Sequence, residues 1–194
     1  MTPMKTLLSA CALLALPTFL ACGGGGGSTP PPPPATATSL VYTDPTGGSY
    51  KLVKNTASSG SHLVLDLVGP STGTAMGISV TFTGDAKTTW VDIPAGGTTA
   101  VLMQNGLFTL GSGTPIQKAK ATGNVLQATV AQKAPTAEVS LNGVLLRVAL
   151  DLKASQGLPQ GTALTLTADN AKSQVLAGGV LTPITISVGT LKAQ

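Results

Sequence analysis

The chain has 194 residues and a formal net charge of +4, and only 9% of its residues are charged. Its lysines are scattered, whereas a nucleic-acid-binding domain needs a clustered basic face, so the composition argues against nucleic-acid binding. Both cysteines, Cys11 and Cys22, lie in the first 22 residues, which excludes a disulfide or a cysteine metal site in the rest of the chain.

Residues 1–21 have the pattern of an export signal. Lys5 precedes an apolar run over residues 7–20, and small residues follow. The run is shorter than the about 20 apolar residues that span a membrane comfortably. Phe19-Leu20-Ala21-Cys22 resembles the lipobox of bacterial lipoproteins, which implies cleavage before Cys22 and lipid on its sulfur and new amino group. The competing match ending at Cys11 would leave too short an apolar segment after Lys5.

Residues 22–37 are predicted to form a lipidated cysteine and its tether. Five glycines from Gly23 behave as flexible coil, and five prolines from Pro30 favour an extended polyproline helix. A proline-rich ligand for an aromatic groove is the alternative interpretation of the second tract. Gly23 stands where lipoproteins retained in the inner membrane often have aspartate. The resemblance therefore implies an outer-membrane anchor, with the rest of the chain periplasmic or surface-facing.

Residues 38–194 alternate with a period of two, which predicts strands with one apolar face. Around Leu63 and Ile78 every second residue is apolar, and the opposite positions are mostly polar. In the longest run, "VLLRVALDLK", we expect Val144, Leu146 and Val148 to face inward and Leu145 to face outward. The pattern recurs near Leu164, Leu166, Ile184, Ile186 and Val188. One buried and one Thr-rich face predict an all-β, two-sheet antiparallel sandwich of the Ig-like or cohesin-like kind.

Turn residues separate these runs, at residues 44–48, 84–85, 94–97, 105–106, 142–143 and 178–179. Asn-Gly pairs are strong hairpin signals because both residues tolerate positive φ. We therefore expect a hairpin around Asn105-Gly106, and a turn at Asn142-Gly143 that links residues 138–141 to the long strand. For residues 115–133 the pattern leaves two alternatives open. Ile116–Ala121 could form one or two helical turns, and Val125–Ala131 is interpreted as a strand, with a helix as the alternative.

Candidate catalytic groups are sparse. Ser61, His62 and Asp66 contain the residue types of a catalytic triad, but adjacent strand residues point to opposite faces, and His62 and Asp66 lie about 13 Å apart along a strand at roughly 3.3 Å per residue. The acidic residues are dispersed, and no loop has the oxygen ligands of a calcium site. We therefore expect no enzyme activity, no metal and no cofactor.

Aromatic residues decide between sugar and protein binding, because sugar-binding sheets present aromatic planes. Trp90, Tyr42 and Tyr50 are the weak candidates for such a platform. Phe82 alternates with core residues, and Phe108 lies in a hairpin arm with one face to bury.

Several segments follow one another in a suggestive order: the Gly84-Asp85 turn, "WVDIPAGG", "GNVLQATVAQ", "NGVLLRVALDLKA" and "ITISVGTLKA". This order resembles cohesin-like and related carbohydrate-binding sandwich modules of exported bacterial proteins. Members of these families bind dockerin modules or polysaccharides. The resemblance implies a non-catalytic binding or structural module, with an envelope protein or, alternatively, a polysaccharide as partner.

Overall fold

A computed structural model describes residues 31–93, 102–103, 116–132, 137–154 and 157–194 of the chain. Its regular structure is almost entirely β, as the alternation predicts, with one short 3-10 turn at Asn170–Lys172. Among these residues there is no helix with the length and apolar character needed to cross a membrane.

The described strands are short and are numbered in chain order. They are β1 (Leu40–Thr43), β2 (Tyr50–Lys54), β3 (His62–Val68), β4 (Thr74–Ala75), β5 (Gly77–Gly84), β6 (Thr88–Val91), β7 (Leu102–Met103), β8 (Ile116–Thr122), β9 (Val125–Ala131), β10 (Val139–Ser140), β11 (Val144–Leu152), β12 (Ala163–Leu164), β13 (Leu166–Ala168), β14 (Gln174–Ala177), β15 (Val180–Pro183), β16 (Ile186–Ser187) and β17 (Thr190–Ala193).

Two six-stranded sheets form the sandwich. The first sheet has the order β16-β2-β3-β11-β6, with β7 also paired to β11. The second has the order β15-β14-β5-β9-β8, with β13 also paired to β5. All pairs in these sheets are antiparallel except β16 with β2, which are parallel. Two small sheets, β1-β17-β12 and β10-β4, complete the architecture.

The inner faces of the two sheets form one apolar core, as the alternation predicts. On the first sheet the buried side chains include Leu63, Leu65 and Leu67 of β3, each fully buried. On the second sheet Ile78, Val80 and Phe82 of β5 and Leu126, Ala128 and Val130 of β9 belong to the same cluster. Burying one such aliphatic or aromatic side chain contributes about 1.5–3 kcal/mol, so this cluster is the main stabilising feature.

The prediction for β11 is wrong at Leu145. The register of β11 against β3 shifts between Val144 and Leu146, which inserts one extra residue into the strand. This bulge turns Leu145 into the core, where it is fully buried, and leaves Val144 half-buried. A period-two pattern cannot show such a shift, because every residue of the segment is compatible with a strand.

The expected polar outer face is also only partly present on the first sheet. Val64 and Ala149 point to that face, yet both are buried in a second apolar cluster with Ile93, against which Val91 packs. The outer side of this sheet is therefore covered in its middle, and the solvent-facing, threonine-rich surface belongs to the second sheet.

At residues 115–133, where the sequence left helix and strand open, the described segments are strands. Ile116–Thr122 is strand β8, not a helix, and it pairs with β9 through a turn at Gly123-Asn124. The strand interpretation of Val125–Ala131 is confirmed. The arms flanking Asn142-Gly143 do not pair with each other, because β10 pairs with β4 and β11 pairs with β3. The Asn105-Gly106 turn lies outside the described residues.

The ordered contacts of the sandwich begin slightly before residue 38. The backbone N–H of Ala37 donates to the carbonyl of Leu158, and the carbonyl of Ala35 accepts from Gln160. Ala37 is buried in the core cluster. Residues 35–37, which the composition assigns to the tether, thus pack against the loop before β12.

The bulged register predicts that Leu145 contributes to stability as a core residue. Leu145→Ala removes a fully buried side chain and should lower the free energy of unfolding by about 2–5 kcal/mol, because a cavity adds to the lost burial. The matched change Leu181→Ala removes a leucine that is 61% exposed and should stay within about 0.5 kcal/mol. Chemical denaturation at low protein concentration measures both. Equal effects at the two positions would contradict the bulged register.

Candidate binding surface

The outer face of the second sheet is a regular surface that runs across strands β15, β14, β5, β9 and β8. Alternate residues of each strand point to it, opposite the core residues. We call this surface the β8–β15 face; its residues are Ile116, Lys118, Lys120 and Thr122 of β8, Val125, Gln127, Thr129 and Ala131 of β9, Ser79, Thr81 and Thr83 of β5, Gln174 and Leu176 of β14, and Leu181 and Pro183 of β15.

One row of this face is apolar from edge to edge. Successive cross-strand pairs join Leu181 to Leu176, Leu176 to Gly77, Gly77 to Ala131, and Ala131 to Ile116. At Gly77 an added Cβ would lie 2.7 Å from the Cβ of Ala131, so glycine is required for this close approach. The ends of the row are open, with Leu181 61% and Ile116 41% exposed.

The adjacent row is polar. Gln174, Ser79, Thr129 and Lys118 follow one another across four strands, and the hydroxyls of Ser79 and Thr129 are hydrogen-bonded at 2.8 Å. A shallow depression beside this row is lined by Ser79, Thr81, Gln127, Thr129, Ala171, Lys172 and Gln174. The surface therefore offers hydroxyl and amide groups next to an apolar strip, which suits a protein partner better than a single small ligand.

The face has a positive charge because it carries two lysines and no acidic side chain. The acidic residues lie off this face, and most are paired there. Six of the seven acidic residues accept a hydrogen bond or an ion pair from within the domain: Asp44, Asp66, Asp85, Glu138, Asp151 and Asp169. Lys118 and Lys120 are exposed, and within the described part of the chain no hydrogen bond or ion pair reaches their ammonium groups. Lys172, beside the depression, pairs with Asp169 at 2.9 Å.

Glu138 fixes the hairpin that borders the face. Its carboxylate accepts hydrogen bonds from the hydroxyl of Thr74 and from the backbone N–H of Gly178, at the turn between β14 and β15. These hydrogen bonds, that of Thr74 first, lower the pKa of Glu138 from its ordinary value. The carboxylate is thus charged at neutral pH and holds the exposed hairpin against strand β4.

The outer face of the first sheet is, by contrast, satisfied internally. Arg147 donates from Nε and from one terminal nitrogen to the two carboxylate oxygens of Asp66, at 2.6 and 3.0 Å. The amide of Asn55 donates to the same carboxylate at 2.6 Å. The bond to Asp66 raises the pKa of Arg147 from its ordinary value. Because Asp66 is buried, this network joins β3, β11 and the residue that follows β2, and its polar groups are already paired.

The structure separates the candidate triad residues. His62 does not reach Asp66; its Nδ1 lies 2.5 Å from Asp151 on the neighbouring strand, 89 residues away in sequence. Its Nε2 is buried without a hydrogen-bond partner in the described structure. The His62–Asp151 pair could not be found from sequence, because it depends on the register of β3 against β11. No group of three or more metal-ligating side chains occurs among the described residues.

The three candidate stacking residues are all buried. Trp90 donates its indole N–H to the carbonyl of Asn124 at 2.9 Å and packs on Phe82. Tyr42 donates its hydroxyl to the carbonyl of Leu52 and accepts from the N–H of Gly189, and burial of the phenol raises its pKa to about 12. Burial also raises the pKa of Tyr50. Trp90, Tyr42 and Tyr50, the weak candidates for stacking, therefore form no exposed platform for a sugar ring.

Phe108 and Cys22, the remaining residues singled out from the sequence, lie outside the described residues. The predicted lipidation of Cys22 therefore rests on the sequence alone.

Comparison with known proteins identifies the fold. No protein-family model matches the sequence, and no curated protein matches it. Among solved structures, the second type II cohesin module of the ScaA scaffoldin from Acetivibrio cellulolyticus superposes with a TM-score of 0.50 at 14% identity, over 77% of this chain and 91% of that one. The third cohesin of ScaC from the same organism, solved in complex with the ScaB dockerin, gives a TM-score of 0.49 at 13% identity over 80% and 89%. The chain thus has the cohesin-like β-sandwich fold.

Proposed function

We propose that this chain is a lipid-anchored envelope protein whose cohesin-like sandwich binds a partner protein, without catalysis, through the β8–β15 face. The observation that supports this most is the contrast between the two outer faces. The first is covered in its middle and internally paired, whereas the second exposes an apolar row, hydroxyls and two lysines that have no partner in the described part of the chain.

The partner chemistry follows from that surface. Lys118 and Lys120 project from one strand beside the exposed end of the apolar row at Ile116. A partner that places carboxylates opposite the lysines and an apolar side chain on the row would complement both features. Exposed apolar surface bordered by polar residues is typical of protein-interaction sites.

The carbohydrate alternative has less support. In the described part of the chain every tyrosine, tryptophan and phenylalanine is buried, so no aromatic ring is available there for stacking on a sugar.

The membrane anchor is the second component of the proposal and rests on the sequence. Two or more acyl chains at Cys22 would hold the protein firmly, since each buried methylene contributes about 0.8 kcal/mol. The glycine and proline tract would hold the sandwich away from the lipid headgroups, where the β8–β15 face can meet a partner.

Charge reversal tests the binding face. Lys118→Glu with Lys120→Glu should reduce capture of the partner from a native-envelope extract at least tenfold, because carboxylates of the partner would then face carboxylates. The matched control, Lys54→Glu with Lys192→Glu, makes the same change in net charge at two exposed lysines outside this face. Quantitative mass spectrometry of the captured proteins gives the comparison. Equal loss from both double variants, or capture that survives protease treatment of the extract, would reject the proposal.

Metabolic labelling with a fatty acid tests the anchor separately. The Cys22→Ser variant should incorporate no label and should leave the detergent phase, whereas Cys11→Ser should keep both. Label that persists in Cys22→Ser and disappears in Cys11→Ser would overturn the assignment. Recovery of the labelled protein in the inner-membrane fraction would contradict the expected outer-membrane location.

A further inference from the structure

The two edges of the second sheet differ in how they are protected. An edge strand presents unpaired N–H and C=O groups, and proteins commonly guard it with lysines or proline. Strand β8, at one edge, carries Lys118 and Lys120. Strand β15, at the other edge, has no charged residue, and its Val180 and Leu181 are 62% and 61% exposed.

The hydrogen bonds of the β14–β15 ladder show which groups of β15 point outward. The N–H of Ile184 donates to the carbonyl of Ser173, one step beyond the Gln174–Pro183 pair. Hydrogen-bonded pairs alternate along an antiparallel ladder, so Thr182 and Val180 also bond to β14. Leu181 therefore directs both its N–H and its C=O to solvent. Pro183 points the same way, but it can offer only a carbonyl.

The chemistry of this edge restricts what can pair with it. Residues 173–191 contain no charged side chain. A charged strand would find no counter-charge along β15, whereas a second β15 is uncharged, apolar and of the same length. The hairpin is also held in place before any association, since Glu138 accepts the N–H of Gly178 at its turn.

We propose that β15 is a self-association edge, at which two copies of this chain pair antiparallel about a two-fold axis at Leu181. In that register Leu181 of each copy exchanges both backbone hydrogen bonds with Leu181 of the other. The missing N–H of Pro183 ends the ladder at the last residue of the strand. Val180 lies opposite Thr182.

This register also joins the apolar rows of the two copies. Each row runs from Ile116 to Leu181, and the two-fold axis places Leu181 against Leu181 on the same face. Two exposed leucines are thereby buried against each other, and two second sheets become one continuous sheet. Isologous contact of this kind closes at two copies and does not propagate, because each copy uses its only copy of the edge.

Opposite charges at the symmetry axis test the pairing. The protein isolated from the envelope is studied in detergent micelles, which accommodate its N-terminal membrane anchor, by analytical ultracentrifugation. The wild-type chain should sediment as a dimer with rising concentration. Leu181→Asp alone and Leu181→Lys alone should dimerise at least tenfold more weakly, because like charges meet at the axis. An equal mixture of the two should restore the dimer.

Val41→Asp and Val41→Lys serve as matched controls, since Val41 is an exposed apolar residue on an edge strand of a separate sheet. Each should dimerise like the wild type, and circular dichroism verifies that every variant remains folded. A monomeric wild-type chain, unchanged dimerisation of the Leu181 variants, or a mixture no better than its components would each overturn the proposal. Capture of another envelope protein at β15 by a monomeric chain would likewise do so.

Discussion

Burial of the two inner sheet faces against each other is the constraint on which the rest of the structure depends. Both cysteines lie before residue 23, so the sandwich contains no disulfide, and its stability must come from packing. Leucines of β3 and β11 on one side and the apolar side chains of β5 and β9 on the other form a single cluster. The bulge at Leu145 and the contact between Trp90 and Phe82 add to this core, since each places a large side chain inside it.

Because the core fixes both sheets, their outer faces are free to differ. On the first sheet an apolar cluster and the Asp66–Arg147–Asn55 network occupy the surface. Removing one partner of such a buried ion pair would leave the other charge buried and unpaired. Substitutions in this network would therefore destabilise the fold. On the second sheet the polar side chains of the outer face make few hydrogen bonds with one another. Six of the acidic residues are instead paired within the domain, as Asp85 is with the backbone N–H groups of Lys87 and Thr165. The result is a stable scaffold with one positively charged, partly apolar face.

The sequence predicted the positions of the strands better than it predicted which strands pair with each other. Alternation identified the buried residues of β3, β5 and β9, because side-chain direction along a strand is a local property. It could not identify the bulge in β11, the pairing of β10 with β4, or the His62–Asp151 pair, all of which depend on register between distant segments. Strand β8 was ambiguous because alanine and lysine favour helix, and only its pairing with β9 decides the outcome. The cohesin-like fold was suggested by the order of motifs, whereas the exposed β8–β15 face emerged only from the sheet topology.

Hydrogen exchange tests most directly whether a partner protein docks on the β8–β15 face. The full chain is compared before and after complex formation with the protein captured from the envelope. Amides of the edge strand β8, and of strand β14 (Gln174–Ala177) on the same face, should exchange more slowly in the complex. Amides of β1 and β17, in a separate sheet, should be unchanged and serve as the internal reference. Protection confined to β1 and β17, or no change in β8 on saturation with partner, would contradict the claim.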